Sequence, residues 1–126
     1  MATPIIFPHI EIDGVKYPRV TLNWYDITGD SSWAEVDEFN DFKCAEVVTE
    51  GFVFDIFEHE GKKFVRTFAS YIEEGEDGPT FGDRGCFPVD ILRGESQHII
   101  QIAELYIRGR SPWPPARFRP YISTAL

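Results

Sequence analysis

Between His9 and Tyr71 polar and apolar residues mostly alternate, and the alternation breaks where glycine, proline or short polar residues sit. A period of two places successive side chains on opposite faces, so the pattern predicts strands. His9-Ile-Glu-Ile-Asp-Gly-Val-Lys-Tyr17 holds Asp13-Gly14 between two β-prone stretches, a dipeptide that accepts the left-handed backbone of a tight hairpin. From Arg19 to Tyr25 the residues Val20, Leu22 and Trp24 share one face and Arg19, Thr21 and Asn23 the other, a half-buried strand ending near Asp26. Val47-Val48, Phe52–Phe57 and Phe64–Tyr71 continue the strand pattern, with a hairpin turn at Glu60-Gly61. Within Gly51–Glu58, Phe52, Phe54 and Ile56 fall on one face and Val53, Asp55 and Phe57 on the other. Both faces are partly apolar, which predicts a central strand.

Other segments depart from this period. Ser32-Trp-Ala-Glu35 has the spacing of a capping box, and Trp33, Val36 and Phe39 follow at helical spacing, which predicts a short helix from Trp33 to Asn40 with Trp33 on its buried face. Ile72–Thr80 reads as a loop whose carboxylates Glu73, Glu74, Glu76 and Asp77 repel one another, the most mobile stretch expected. Phe81–Phe87 returns to the core, and Pro88–Leu92 reads as a tight 3₁₀ turn followed by one or two further sheet residues. Residues 97–107 fit two readings. As a helix, Ile99, Ile102, Ala103 and Tyr106 form the stripe, Ser96 the cap and Gly109 the stop; as a strand, Ile99, Ala103, Leu105 and Ile107 share a face. The helix is favoured. Beyond it, Ser111-Pro-Trp-Pro-Pro-Ala-Arg-Phe-Arg-Pro120 is too rich in proline for a helix interior or a central strand, and is expected to run extended as an arm. The whole reads as a mainly β protein with minor α, a partly open barrel or twisted sheet, with residues 1–93 as an acidic β domain and 94–126 as a C-terminal helix or strand plus arm.

Composition sharpens this picture in two places. With 126 residues and 43% apolar side chains the chain supports one hydrophobic core. The net charge of −9 repels phosphate backbones, which makes nucleic acid an unlikely partner. That charge is uneven: residues 1–92 carry 19 acids and 7 bases, whereas residues 93–126 carry 2 and 5. The tail and the body are therefore complementary, in one chain or between copies. No apolar run is long enough to cross a bilayer, and the N-terminus lacks the basic and apolar regions of a secretory signal, so a cytoplasmic setting is expected. Cys44 and Cys86 are read as two half-buried thiols, with a single bridge open to them if the strands bring them together.

Few residues invite chemistry. Asp26-x-Thr28-x-Asp30-x-Ser32 has the oxygen spacing that begins a calcium loop, but Ser31 stands where glycine is needed and Asp37 replaces the final glutamate. Asx turns and helix capping explain it better. His9, His59 and His98 are far apart in sequence, without a zinc or nucleophile pattern, and are expected at the surface or at edges. Asp83-Arg84 between Gly82 and Gly85 is the strongest candidate: the glycines permit a backbone that presents a carboxylate and a guanidinium together. They would serve as an internal ion pair or, alternatively, as an anion contact through Arg84. Trp113, among prolines, is either tucked onto the body or offered to a partner. Pro112-x-x-Pro115-x-Arg117 matches the form of a proline-rich ligand for an acidic aromatic groove.

Trp24-x-Asp26 followed by Trp33, the run Thr67-Phe-Ala-Ser-Tyr71, and Phe81-Gly-Asp-Arg84 with Phe87-Pro88 resemble a group of small uncharacterised bacteriophage proteins over residues 19–93. The resemblance implies a phage-encoded protein with a small, strongly curved, SH3-like sheet and no assigned chemistry. The chain after Gly94 departs from the pattern.

The expectation is a non-enzymatic phage accessory protein in the host cytoplasm, or in the virion, that binds a host or phage protein, such as an anti-defence inhibitor or adaptor. It is expected to use no cofactor, no metal and no membrane. The contact residues would be Glu73, Glu74, Glu76, Asp77, Asp83, Arg84, Trp113, Arg117 and Arg119. Two alternatives stand beside it: a virion or assembly protein that forms homo-oligomers through residues 94–126, and a protein that sequesters a nucleotide with Arg84 and an aromatic platform.

Overall fold

A computed structural model describes residues 7–73 and 75–109; expectations for Glu74, Trp113, Arg117, Arg119 and the proline-rich arm lie outside the described residues. Two Asp/Glu-Gly turns organise the N-terminal half. Asp13 and Gly14 both take positive φ (52° and 80°), as do Glu60 and Gly61 (52° and 76°), the backbone that matches the twist of paired strands. The first turn joins β1 (His9–Ile12) to β2 (Val15–Asp26), and the second joins β3 (Ala45–His59) to β4 (Lys62–Phe68). Two short strands, β5 (Ser70–Ile72) and β6 (Thr80–Gly82), form a separate hairpin. The chain then re-enters the main sheet as β7 (Gly85–Pro88).

The main sheet has the order β1-β2-β3-β4-β7, and every pairing is antiparallel. It is open: among the described residues no pairing joins β7 back to β1. After β7 comes a 3₁₀ turn at Val89–Ile91, as the sequence pattern suggests; Leu92, expected within that turn, instead bridges back to Trp24. A helix then follows. Gly94–Gly109 is helical, here α2, the second helix after a five-residue α1 at Val36–Asn40.

One sheet face lies beneath α2. Val20, Leu22, Val53, Val65 and Phe87 from the strands meet Ile100, Ala103 and Ile107 from the helix in one core. Burial of each Val, Leu, Ile or Phe side chain here contributes on the order of 1.5–3 kcal/mol. The helix stripe is rotated from the expected one: Ser96, Ile100, Ala103 and Ile107 are buried, while Ile99, Ile102 and Tyr106 sit at its margins. Ser96 does not cap the helix. It is fully buried, and its Oγ accepts the Asn23 N–H at 2.7 Å, which fastens α2 to β2 where no strand is available to take that donor.

The expected assignment of faces within β3 holds only in part. Thr67 pairs with Val53 and Arg66 with Asp55, so Phe54 is an unpaired extra residue and the strand bulges there. A bulge changes which side chains share a face. Val53 and Ile56 thus pack beneath α2, whereas Phe52 and Phe54 join a second cluster with Ile12, Val15, Tyr17, Phe68 and Phe81 on the opposite face. Close approach also fixes Gly51: a Cβ there would stand 2.8 Å from the Phe68 carbonyl oxygen.

The first helix differs from expectation as well. It begins at Val36, no side chain caps it, and Trp33 is 99% exposed rather than buried. The oxygen of Asp30 accepts both the backbone N–H and the hydroxyl of Ser32, so Ser32 closes an Asx turn and is not available as a cap. These bonds hold the Asp30 carboxyl below the usual carboxylate range.

Candidate functional site

Among the described residues, the face of the sheet turned away from α2 is covered at one end. There Tyr17, Phe54, Phe68 and Phe81 form an aromatic cluster, with Phe68 and Phe81 4.7 Å apart edge to face and Phe54 and Phe81 5.2 Å apart. The β5–β6 hairpin stands beside this cluster. Between it and β4 and β7 lies a groove of about 830 Å³. Its walls include Phe54 and Phe81, its floor Arg66 and Cys86, and its rim Thr80, Asp83 and Arg84.

Arg66 holds the floor in place. Its Nε donates to Asp55 Oδ1 at 2.6 Å and its Nη2 to Oδ2, a bidentate pair on adjacent strands. The Asp55 carboxylate is fully buried beneath it. The guanidinium also lies 4.5 Å from the Phe57 ring centroid and 5.9 Å from that of Phe54, the geometry of a cation–π contact. This pair was missed in the sequence, although the signal was present. A hairpin turning at Glu60-Gly61 sets His59 opposite Lys62, and counting outward sets Asp55 opposite Arg66. Opposite charges facing each other with Phe54, Ile56, Phe57, Phe64 and Val65 around them point to a buried ion pair.

Asp83 and Arg84 are both exposed on the groove rim. The expected internal pair between them is absent, and the buried ion pair is Asp55–Arg66 instead. Asp83 itself takes the left-handed backbone at φ 51°, and neither flanking glycine does. Its carboxylate accepts a hydrogen bond from the Ser70 hydroxyl, which ties the rim to β5. Gly85 is required for space rather than for conformation: a Cβ there would come within 2.7 Å of the Phe87 ring. Arg84 makes no hydrogen bond or ion pair with any described residue, so its guanidinium is available to a ligand.

The acidic residues Glu73, Glu76 and Asp77 are exposed in the turn that joins β5 to β6, closed by Gly78 N–H donating to the Gly75 carbonyl at 3.2 Å. The structure thus brings the acidic turn, Asp83 and Arg84 onto one hairpin and its exit. Both cysteines are free and exposed, not half-buried. Partial desolvation raises the Cys86 thiol pKa, which the neighbouring Arg66 charge only partly offsets, so the thiol stays protonated at neutral pH. His9 and His98 are exposed and His59 is half-buried; none lines the groove. No group of three or more His, Cys, Asp or Glu among the described residues could hold a metal ion. No described helix is long and apolar enough to cross a membrane.

Compared with known proteins, the chain matches no family model, no curated protein and no solved structure.

Proposed function

We propose that the chain is a non-enzymatic accessory protein of phage type that binds a host protein in the host cytoplasm, using the groove between the β5–β6 hairpin and strands β4 and β7, together with the acidic turn of that hairpin. The observation that carries this reading is the mixed character of the groove. Aromatic walls and a rim bearing both charges have the anatomy of a protein interface, where aromatic residues and arginine are enriched and polar groups ring an apolar centre. Charge bookkeeping disfavours the nucleotide alternative. Arg66 is neutralised by Asp55, Arg84 is matched by Asp83 on the same rim, and the turn adds the carboxylates of Glu73, Glu76 and Asp77. A phosphate would meet no net positive field, whereas a partner with a basic residue beside an apolar one would satisfy both parts of the site.

The test is capture from host extract by tagged protein at low and high salt, with bound proteins identified by mass spectrometry. A stoichiometric partner is expected, released by salt and lost when Glu73, Glu76 and Asp77 are reversed to lysine, because contacts between exposed charges are screened. Capture unchanged by both salt and charge reversal would overturn the assignment of the acidic turn.

A further inference from the structure

A second surface stands apart from the groove. From Ile27 to Cys44 every residue except Thr28 is exposed, although the segment carries Ile27, Trp33, Val36, Phe39 and Phe42. Ile27 is 93% exposed, and the rings of Phe39 and Phe42 are 6.1 Å apart. Large apolar side chains gathered on one projecting segment mark a contact surface. The same segment holds Asp30, Glu35, Asp37, Glu38 and Asp41 against a single Lys43. An occupant must therefore be both apolar and basic.

Residues 110–126 have that composition. They contain Arg110, Arg117 and Arg119 and no acid, with Trp113, Phe118 and Tyr121 set among four prolines. Proline and aromatic groups packing on an acidic aromatic surface, with arginine meeting carboxylate, is a recurring mode of peptide recognition.

The course of α2 decides which copy supplies the segment. The helix starts beside the base of this 27–44 segment, called the 27–44 arm below, where Arg93 approaches Glu46 at 3.6 Å and Ser96 accepts from Asn23. It ends at the far end of the sheet, where Glu104 meets Lys63 at 2.8 Å and Lys63 pairs with Glu58 of β3. Its 16 residues span about 24 Å. Trp113, four residues past Gly109, can reach at most about 14 Å, and Arg117 about 29 Å when fully extended. Trp113 of a chain thus falls short of its own 27–44 segment, whose base lies about 24 Å back along the helix. A neighbouring chain has no such limit.

We infer that the 27–44 arm of one copy seats residues 110–126 of a second copy, with Trp113 and Phe118 against Trp33, Phe39 and Phe42, and Arg117 and Arg119 against the arm's carboxylates. Reciprocal exchange closes a dimer. This contact is independent of the groove, so its failure leaves the reading of the groove untouched.

Sedimentation equilibrium on the full chain tests it. Wild type is expected to show twice the 14.5 kDa chain mass. Trp33→Ser with Phe39→Ser, both exposed and so replaceable without disturbing the core, should give monomer, as should Arg117→Glu with Arg119→Glu, each weakening association by about tenfold or more. Circular dichroism confirms that each variant remains folded. An arm carrying Glu35→Lys, Asp37→Lys and Glu38→Lys, mixed with the Arg117→Glu, Arg119→Glu chain, should restore a mixed dimer. A wild type that stays monomeric from micromolar to millimolar concentration would overturn the inference, as would a dimer that survives either pair of substitutions.

Discussion

The two faces of the main sheet solve different problems with similar residues. Beneath α2, Leu22, Val53, Val65, Ile100, Ala103 and Ile107 are all at most 2% exposed. Across the sheet, Phe54, Phe57, Phe64 and Phe81 are only half-buried, and a bidentate ion pair occupies the centre. The covered face is closely packed beneath the helix, with a smaller pocket of about 190 Å³ where Glu104 and Ile107 meet Ile56 and Lys63. The other face retains a groove because the β5–β6 hairpin stands beside it without closing over it. An aromatic-rich surface held rigid by Asp55–Arg66 is what a binding face needs, since side chains already fixed in place lose little freedom on association.

Substitutions can break or sharpen this contrast. The largest effect is expected on the open face: Arg66→Ala leaves the fully buried Asp55 carboxylate without its partner and should cost about 3–5 kcal/mol in urea denaturation. Replacing both partners together, as Asp55→Leu with Arg66→Met, should restore most of that loss, which would identify the pair as a positioning device rather than a source of stability. On the covered face, Ile100→Ala should cost about 2–5 kcal/mol without altering the groove. Ser96→Ala leaves the Asn23 N–H unsatisfied and should cost about 1–3 kcal/mol. The smallest effect on stability belongs to Arg84→Ala, within about 0.5 kcal/mol, because the side chain is exposed and free of described polar partners.

Thiol chemistry reports on the groove directly. Since the Cys86 pKa lies above the ordinary thiol value, alkylation by iodoacetamide should rise with pH through a midpoint higher than that of an unstructured cysteine peptide. By linkage, the protonated thiol favours the folded state, and that contribution is lost as pH rises from the unfolded pKa through the folded one. A midpoint at or below that of the peptide would show that the groove floor is more open than the structure has it.

How much of this was legible depends on whether the cause was local. The Asp13-Gly14 and Glu60-Gly61 turns, the mainly β character, the 3₁₀ turn and the helical state of residues 97–107 follow from nearby residues and are legible in the sequence. The bulge at Phe54 depends on how β4 meets β3, and no local signal marks it. Trp33, Val36 and Phe39 have the spacing of a core helix, but spacing does not say whether another element arrives to cover it; here none of the described residues does. The candidate site was half visible. Asp83, Arg84 and the acidic turn were singled out, whereas the aromatic walls and the Asp55–Arg66 floor required strands that are distant in sequence to be brought together.

The measurement that bears most directly on the central claim compares the two faces in one capture experiment from host extract. Tagged wild type is set against Phe81→Ala with Arg84→Ala on the groove and against Leu105→Ala on the outer side of α2, where Leu105 is 57% exposed. The account predicts one stoichiometric partner, retained by the helix variant and lost by the groove variant. A partner held equally by the groove variant, or no partner for wild type at either low or high salt, would contradict it.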